Sequence, residues 1–237
     1  MKKMKQESPM RGIAFIGGEG PGAALCRRLA TEAGAGGGAA LLVAADSGLI
    51  AMENAGLVPD WIIGDMDSLD DTSRLEAYSP GRIRRYPHEK DYTDTELALS
   101  LLREQGCDTA WLVGGGGGRT DHLLAIRSLF ERDPSPDRWI TAQEDIRRLR
   151  PGEDLVFSCS VTEGGGESSA KKLKGISVFP LGTGPWKAES RGLKWPLDDL
   201  PWDRGFFGIS NEAPEGSFSI KAVEGRFLVL APLGIMG

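Results

Sequence analysis

Two different periods of apolar and polar positions divide the chain. In the first half, short unbroken apolar runs, Ile13 to Ile16, Leu41 to Ala45, Trp61 to Ile63 and Ala110 to Val113, alternate with segments whose apolar residues recur every three or four positions. An unbroken run suits a parallel strand covered on both faces, and the spacing between runs is that of an amphipathic helix. Leu25 and Leu29 mark one such helix. A second runs from about Leu49 to Gly56, stopped by Gly56 and Pro59. Thr93 and Glu96 have capping-box spacing ahead of the face formed by Leu97, Ala98, Leu101 and Leu102. A fourth helix passes through Leu123, Leu124 and Ile126, and Ile83 to Tyr86 is a weaker strand. Alternation of this kind predicts an α/β layer with a mostly parallel sheet and flanking helices.

Past Phe130 the helical period fades. Asp133-Pro134-Ser135-Pro136-Asp137 reads as a boundary, which divides the chain into 1–135, an α/β catalytic domain, and 136–237, an all-β sandwich or barrel. Strand-like runs there are Leu155 to Phe157, Ile176 to Phe179, Phe206 to Ile209, Ser217 to Ala222 and Phe227 to Leu230. Phe218, Ile220 and Ala222 alternate with Ser219 and Lys221, the half-buried strand pattern, and Glu224-Gly225 suits a hairpin turn. Glu163 to Lys174, rich in glycine, serine and lysine, is expected to be a mobile loop. Trp195 is expected in the core, and Ser210-Asn211 in a turn.

Composition narrows the function. With 237 residues there is material for two domains, and a net charge of −6 argues against nucleic-acid binding, which needs clustered Lys and Arg. Cys26, Cys107 and Cys159 have neither disulfide nor zinc spacing and point to a reducing compartment. His88 and His122 are the only histidines, which argues against an imidazole-built metal site and toward a carboxylate-held cation such as magnesium. The apolar run at Ile13 to Ile16 is too short for a signal peptide or a membrane span.

The candidate chemistry sits directly after the strands. Gly64 ends the third apolar run, and Asp65 and Asp67 follow at i and i+2, where an extended chain points both carboxylates to one face and lets them share a hard cation. Asp46 follows the second run. Asp91 and Asp94 lie at a helix N-terminus, where the macrodipole alone would favour acids. Five consecutive glycines, Gly114 to Gly118, lead into Arg119 and Asp121; such a run makes sense where backbone passes close to a ligand, and Arg119 has the fork that pairs with phosphate. Gly17 to Gly22 matches neither the P-loop nor the dinucleotide spacing and reads as a flexible turn. With right-handed crossovers all these groups gather on the carboxyl rim of one sheet.

Taken together, Ala45-Asp46-Ser47-Gly48, Pro59 to Ser68, Lys90-Asp91-Tyr92-Thr93-Asp94, Gly117 to His122, Phe179-Pro180-Leu181-Gly182, Gly192 to Leu197 and Ser210-Asn211-Glu212 resemble the thiamine pyrophosphokinase family over nearly the whole chain. The resemblance implies transfer of diphosphate from ATP to the hydroxyl of thiamine, with AMP leaving, in a cytoplasmic homodimer with no nucleic-acid or membrane partner. It implies Mg2+ held by Asp65, Asp67 and Asp91. It places ATP and its diphosphate on Asp46, Lys90, Asp94, Gly117, Gly118, Arg119, Thr120 and Asp121, with Asp46, Asp67, Asp94 and Arg119 as the catalytic set. Ser210 and Asn211 would lie at thiamine. The chain departs from the family at Ser47, where a second glycine is usual, and in the length of the Glu163 to Lys174 segment. Three alternatives stay open: a pterin pyrophosphokinase on a related scaffold, a phosphatase with an aspartyl nucleophile, and a nucleotide-binding module without turnover.

Overall fold

The computed structural model describes residues 10–35, 40–67, 69, 71–158 and 173–233. The chain divides into two compact units, Met1–Leu129 with Pro134–Ala142, and Phe130–Asp133 with Gln143–Gly237. Among the described residues no helix is long and apolar enough to cross a membrane.

Six strands build the first unit: β1 (Arg11–Phe15), β2 (Leu41–Ala45), β3 (Trp61–Gly64), β4 (Ile83–Arg85), β5 (Thr109–Val113) and β6 (Arg138–Ile140). All pair in parallel, in the order β6-β5-β1-β2-β3-β4. Helices α1 (Ala23–Gly34), α2 (Gly48–Asn54), α3 (Asp94–Glu104) and α4 (Thr120–Leu129) connect them. Continuous burial of Ile13, Ala14 and Phe15 in β1 and of Ala110 to Val113 in β5 matches the unbroken apolar runs, since both sheet faces are covered. α2 ends as its sequence demands. Gly56, at φ +66, donates to Glu53 O and Leu57 donates to Met52 O, the paired bonds of a Schellman stop. The capping box is formed: Glu96 N donates to Thr93 Oγ1 at 3.3 Å, and Thr93 N donates to Glu96 Oε2 at 3.0 Å.

Strand order reverses beside β1, which has β2 on one side and β5 on the other. Open α/β sheets bind ligands outside the carboxyl ends at such a reversal. The two glycine segments, 17–22 and 114–118, follow β1 and β5 there.

The second unit is a sandwich of antiparallel sheets. β7 (Glu144–Leu149), β9 (Leu173–Leu181), β11 (Gly208–Ala213) and β13 (Arg226–Pro232) form one sheet, in the order β11-β9-β13-β7. β8 (Asp154–Ser158), β10 (Lys187–Arg191) and β12 (Ser217–Glu224) form the other, in the order β10-β12-β8. Phe157, Phe218, Ile220 and Ala222 from one sheet and Ile176, Val178, Phe227 and Val229 from the other share one core. Phe157 and Phe218 stack with ring centroids 4.7 Å apart.

Three expectations change here. The turn at Gly225 is not a hairpin: β12 and β13 pair with different strands, because both direct alternate residues into the shared core and the chain passes from one sheet to the other. Leu173 and Lys174 open β9, and residues 163–172 of the expected loop lie outside the described residues. Ser210 and Asn211 belong to β11, whose register shifts around Asn211.

Candidate active site

The acids of the first unit meet at the ends of β2 and β3 and at the start of α3. Asp46 follows β2 with φ +46, a left-handed conformation that its short polar side chain tolerates. Its N–H donates to Ile63 O at 3.0 Å, and its Oδ1 accepts from Met66 N at 3.3 Å. Gly64 makes this possible. It sits at φ +138, and a Cβ there would lie 1.9 Å from Asp46 Oδ1. Met66 is also left-handed, at φ +69, and Asp67 N donates to Asp65 Oδ1 at 3.1 Å. The Asp65–Asp67 segment is thus a tight Asx turn rather than an extended chain, and the turn replaces strand geometry as what points both carboxylates one way.

Two groups of side chains result. Asp46, Asp65 and Asp94 each present an oxygen such that all three lie within 4.8 Å of one another; Asp65, Asp67 and His88 do the same with two oxygens and a ring nitrogen. Lys90, with a side chain only 12% exposed, reaches into the first group, 2.9 Å from Asp94 Oδ1 and 3.2 Å from Asp65 Oδ2. Burial works against its charge, yet the bonds to Asp94 and Asp65 carry its pKa above the ordinary lysine value. Asp65 shows the reverse balance. Burial raises its pKa, but the Asp67 N–H, Lys90 and His88 together hold it below the usual carboxylate value. At Asp46, burial, then the hydrogen bond and charge of Asp94, push the carboxyl up to about 7, against the lowering effect of the Met66 N–H. A carboxyl in that position keeps a proton where an ordinary aspartate has none.

The remaining predicted residues fall outside these groups. Asp91 is exposed and belongs to neither. Arg119 and Asp121, both exposed, pair with each other, Nε to Oδ1 at 3.1 Å, at the start of α4, where Thr120 is the first residue. Gly117 and Gly118 adopt φ +64 and +63. The glycines before them serve backbone packing. Glu19 and Gly116 form a bridge through N–H to O bonds of 2.7 and 2.9 Å, and Gly115 donates to Gly17 O at 2.8 Å. A Cβ on Gly114 would meet Ile16 O at 2.3 Å. The glycine segments after β1 and β5 are therefore laced to one another.

In the second unit Asn211 is buried, and its side chain grips the Trp195 backbone from both sides: Nδ2 donates to Trp195 O at 2.7 Å, and Oδ1 accepts from Trp195 N at 3.2 Å. Trp195, expected in the core, is 51% exposed, with the Lys194 ammonium 4.3 Å from its ring centroid. Exposure follows from the clamp, which fixes the backbone of a loop and leaves the ring outside the sandwich. Ser210 is exposed at φ +58, aimed by the irregular register of β11.

His88 is the residue the sequence reading missed. Its Nδ1 lies 3.1 Å from Asp65 Oδ2 and 3.0 Å from Asp67 Oδ2, although two histidines in the whole chain had argued against any imidazole contribution. It stands two residues before Lys90, the only signal the sequence offered.

These features define a class: an α/β unit with laced glycine turns at its strand-order reversal and an acidic rim around Lys90, in one chain with a β-sandwich. The thiamin pyrophosphokinase catalytic domain matches residues 37–135, and the thiamin pyrophosphokinase vitamin B1 binding domain matches residues 167–226. A thiamine pyrophosphokinase of Bacillus subtilis (strain 168) is 30% identical over 187 residues, covering 76% of this chain and 82% of that one. Among solved structures, the Bacillus subtilis thiamine pyrophosphokinase aligns with TM-score 0.70 at 23% identity over 93% of this chain and 98% of its own, and the Candida albicans thiamin pyrophosphokinase with TM-score 0.68 at 17% identity over 97% and 95%. The chain belongs to the thiamine pyrophosphokinase family.

Proposed function

We propose that this chain transfers the diphosphate of ATP to the hydroxyl of thiamine, releasing AMP, at the rim formed by Asp46, Asp65, Asp67, Lys90 and Asp94. The observation that carries the reading is the meeting of Asp46, Asp65 and Asp94, two of which, Asp65 and Asp94, hold the Lys90 ammonium. Two carboxylates on one ammonium, with the Asp46 carboxyl beside them, form a site suited to a dication that brings a polyphosphate. Asp65 and Asp67 fit Mg2+, because both are carboxylates converging from one turn, and the bound ion would neutralise charge developing on the β-phosphate.

Little covalent help from protein is needed for attack by a primary alcohol on the β-phosphorus; positioning and charge do most of the work. Lys90 is placed to exchange its carboxylate partners for phosphate oxygens. Asp94, hydrogen-bonded to an Asp46 carboxyl whose pKa burial and Asp94 itself raise, is placed to accept the hydroxyl proton. Arg119, paired at rest with Asp121, is placed to turn its fork to the diphosphate. Ser210 and Asn211 are the thiamine-binding groups, and the exposed Trp195 indole, whose backbone Asn211 holds and which already carries the Lys194 ammonium, can offer a π-face to a cation. We infer a cytoplasmic location, consistent with the free, buried thiols of Cys26 and Cys107, and a homodimer, as the family resemblance implies.

The test is product analysis. AMP should form from Mg-ATP only when thiamine is present, and Asp67→Asn should abolish it with circular dichroism unchanged. ADP as product, ester hydrolysis without ATP, or binding without product would each overturn the reading.

A further inference from the structure

We propose that His88 is a third ligand of the Asp65–Asp67 cation site, so that this chain takes Mn2+ in preference to Mg2+. The inference rests on the reading that Asp65 and Asp67 hold the dication, and adds to it the identity of the ion.

The two carboxylate groups differ in what already occupies them. The group of Asp46, Asp65 and Asp94 is filled by the Lys90 ammonium, which has no lone pair to offer a metal. The group of Asp65, Asp67 and His88 is closed by an imidazole, which offers one. Lys90 shares Asp65 Oδ2 with His88, so a dication at this rim competes with the ammonium for Asp65 but gains two donors, Asp67 and His88, that are not among the ammonium's ion-pair partners.

The separations fit. Two ligands bound at right angles at about 2.1 Å stand about 3.0 Å apart, and His88 Nδ1 is 3.1 Å from Asp65 Oδ2 and 3.0 Å from Asp67 Oδ2. These are also hydrogen-bond lengths, with the ring N–H donating to oxygens that only accept, so a metal would replace one shared proton without rearranging the three side chains. Nor does packing explain the pose of the ring: the His88 side chain is 78% exposed, and Asp65 and Asp67 are its ion-pair partners among the described residues.

Ligand type then decides the ion. Oxygen-only sites suit Mg2+, whereas an imidazole nitrogen favours a transition metal, and of these Mn2+ is the one that shares the carboxylate and water ligands of Mg2+.

Pulsed EPR of Mn2+ on the nucleotide-free full chain tests this. The wild type should show the nitrogen coupling of a directly bound imidazole, altered by 15N-histidine labelling. That coupling should persist in His122→Ala and vanish in His88→Ala. Calorimetric titration should show Mn2+ affinity falling at least about tenfold in His88→Ala, with Mg2+ affinity falling distinctly less. Bound Mn2+ without nitrogen coupling, or equal losses for both ions, would overturn the proposal while leaving thiamine-dependent AMP formation untouched. Undiminished Mn2+ binding in Asp65→Asn would overturn it together with the metal assignment beneath it.

Discussion

Replacing Asp46 by Asn should stabilise the protein at pH 8 and leave it nearly unchanged at pH 4. The Asp46 carboxyl is raised from an ordinary 3.8 to about 7, first by burial and then by Asp94. Between those two values the folded chain holds a proton that the unfolded chain has released. Stability is therefore fully present below about pH 4 and declines as pH rises through about 7. At about 1.4 kcal/mol per tenfold change in proton affinity, the gap would amount to about 4 kcal/mol. Asp46 is only partly buried, so solvent screening reduces that to about 1–2 kcal/mol. Asparagine keeps the oxygen that accepts from Met66 N, tolerates the left-handed backbone and donates to Asp94 instead of repelling it. Thermal unfolding at both pH values is the assay, with a rise of roughly 2–8 °C expected at pH 8 for a chain of this size. Activity should be lost in the same variant. A variant equally destabilised at both pH values would refute the reasoning, because the Asp46–Asp94 repulsion would then not exist.

Lys90→Met should destabilise the protein by about 2 kcal/mol at pH 8, since it leaves Asp65 and Asp94 facing each other without the ammonium between them. A divalent ion should then raise the melting temperature of the variant more than that of the wild type, read by thermal unfolding with and without metal. Asn211→Ala should cost about 1–3 kcal/mol by stranding Trp195 N–H and C=O. Steady-state kinetics should show the KM for thiamine raised and the KM for ATP unchanged.

Local patterns were legible in the sequence, and contacts across the chain were not. The capping box at Thr93 and Glu96 and the stop at Gly56 involve residues within a few positions of each other, and both formed as read. So did the apolar strands β2 and β5, because burial of Val43 to Ala45 and of Ala110 to Val113 leaves an unbroken apolar run. β7 was missed: Glu144–Leu149 carries Asp145, Arg147 and Arg148, and the ion pair between Asp145 and Arg147 hides its charge within a strand. The glycines after β5 were recognised as special, yet their partner, the glycine segment after β1, lies about a hundred positions away. The meeting of Asp46, Asp65, Asp67 and Asp94 followed from topology, while Asp91 and Asp121 stayed outside both groups. Lys90 was placed with the rim acids only by the family resemblance, and His88 by nothing, because how the segment between β4 and α3 folds back leaves no periodic signal.

The strained backbone of the first unit coincides with its unfavourable charge. Asp46, Met66 and Gly64 all have positive φ within one turn of the site, and Asp46 also bears the repulsion of Asp94. Neither feature aids folding, and each persists only because the surroundings over-determine it. β2 and β3 hold Asp46 through the bond from its N–H to Ile63 O, the Gly64 backbone leaves room for its carboxylate, and Lys90 supplies the cation that lets Asp65 and Asp94 approach. A dication bringing its own phosphate oxygens would relieve the same repulsion and free Lys90 for those oxygens. On this account the lysine keeps the rim assembled before substrate arrives, and the energy stored among the carboxylates contributes to the binding of the metal nucleotide. Lys90→Met should accordingly bind the dication alone more tightly than the wild type, and MgATP less tightly, in calorimetric titrations of each. A variant that loses affinity for both would mean that Lys90 supports the fold of the site and nothing more.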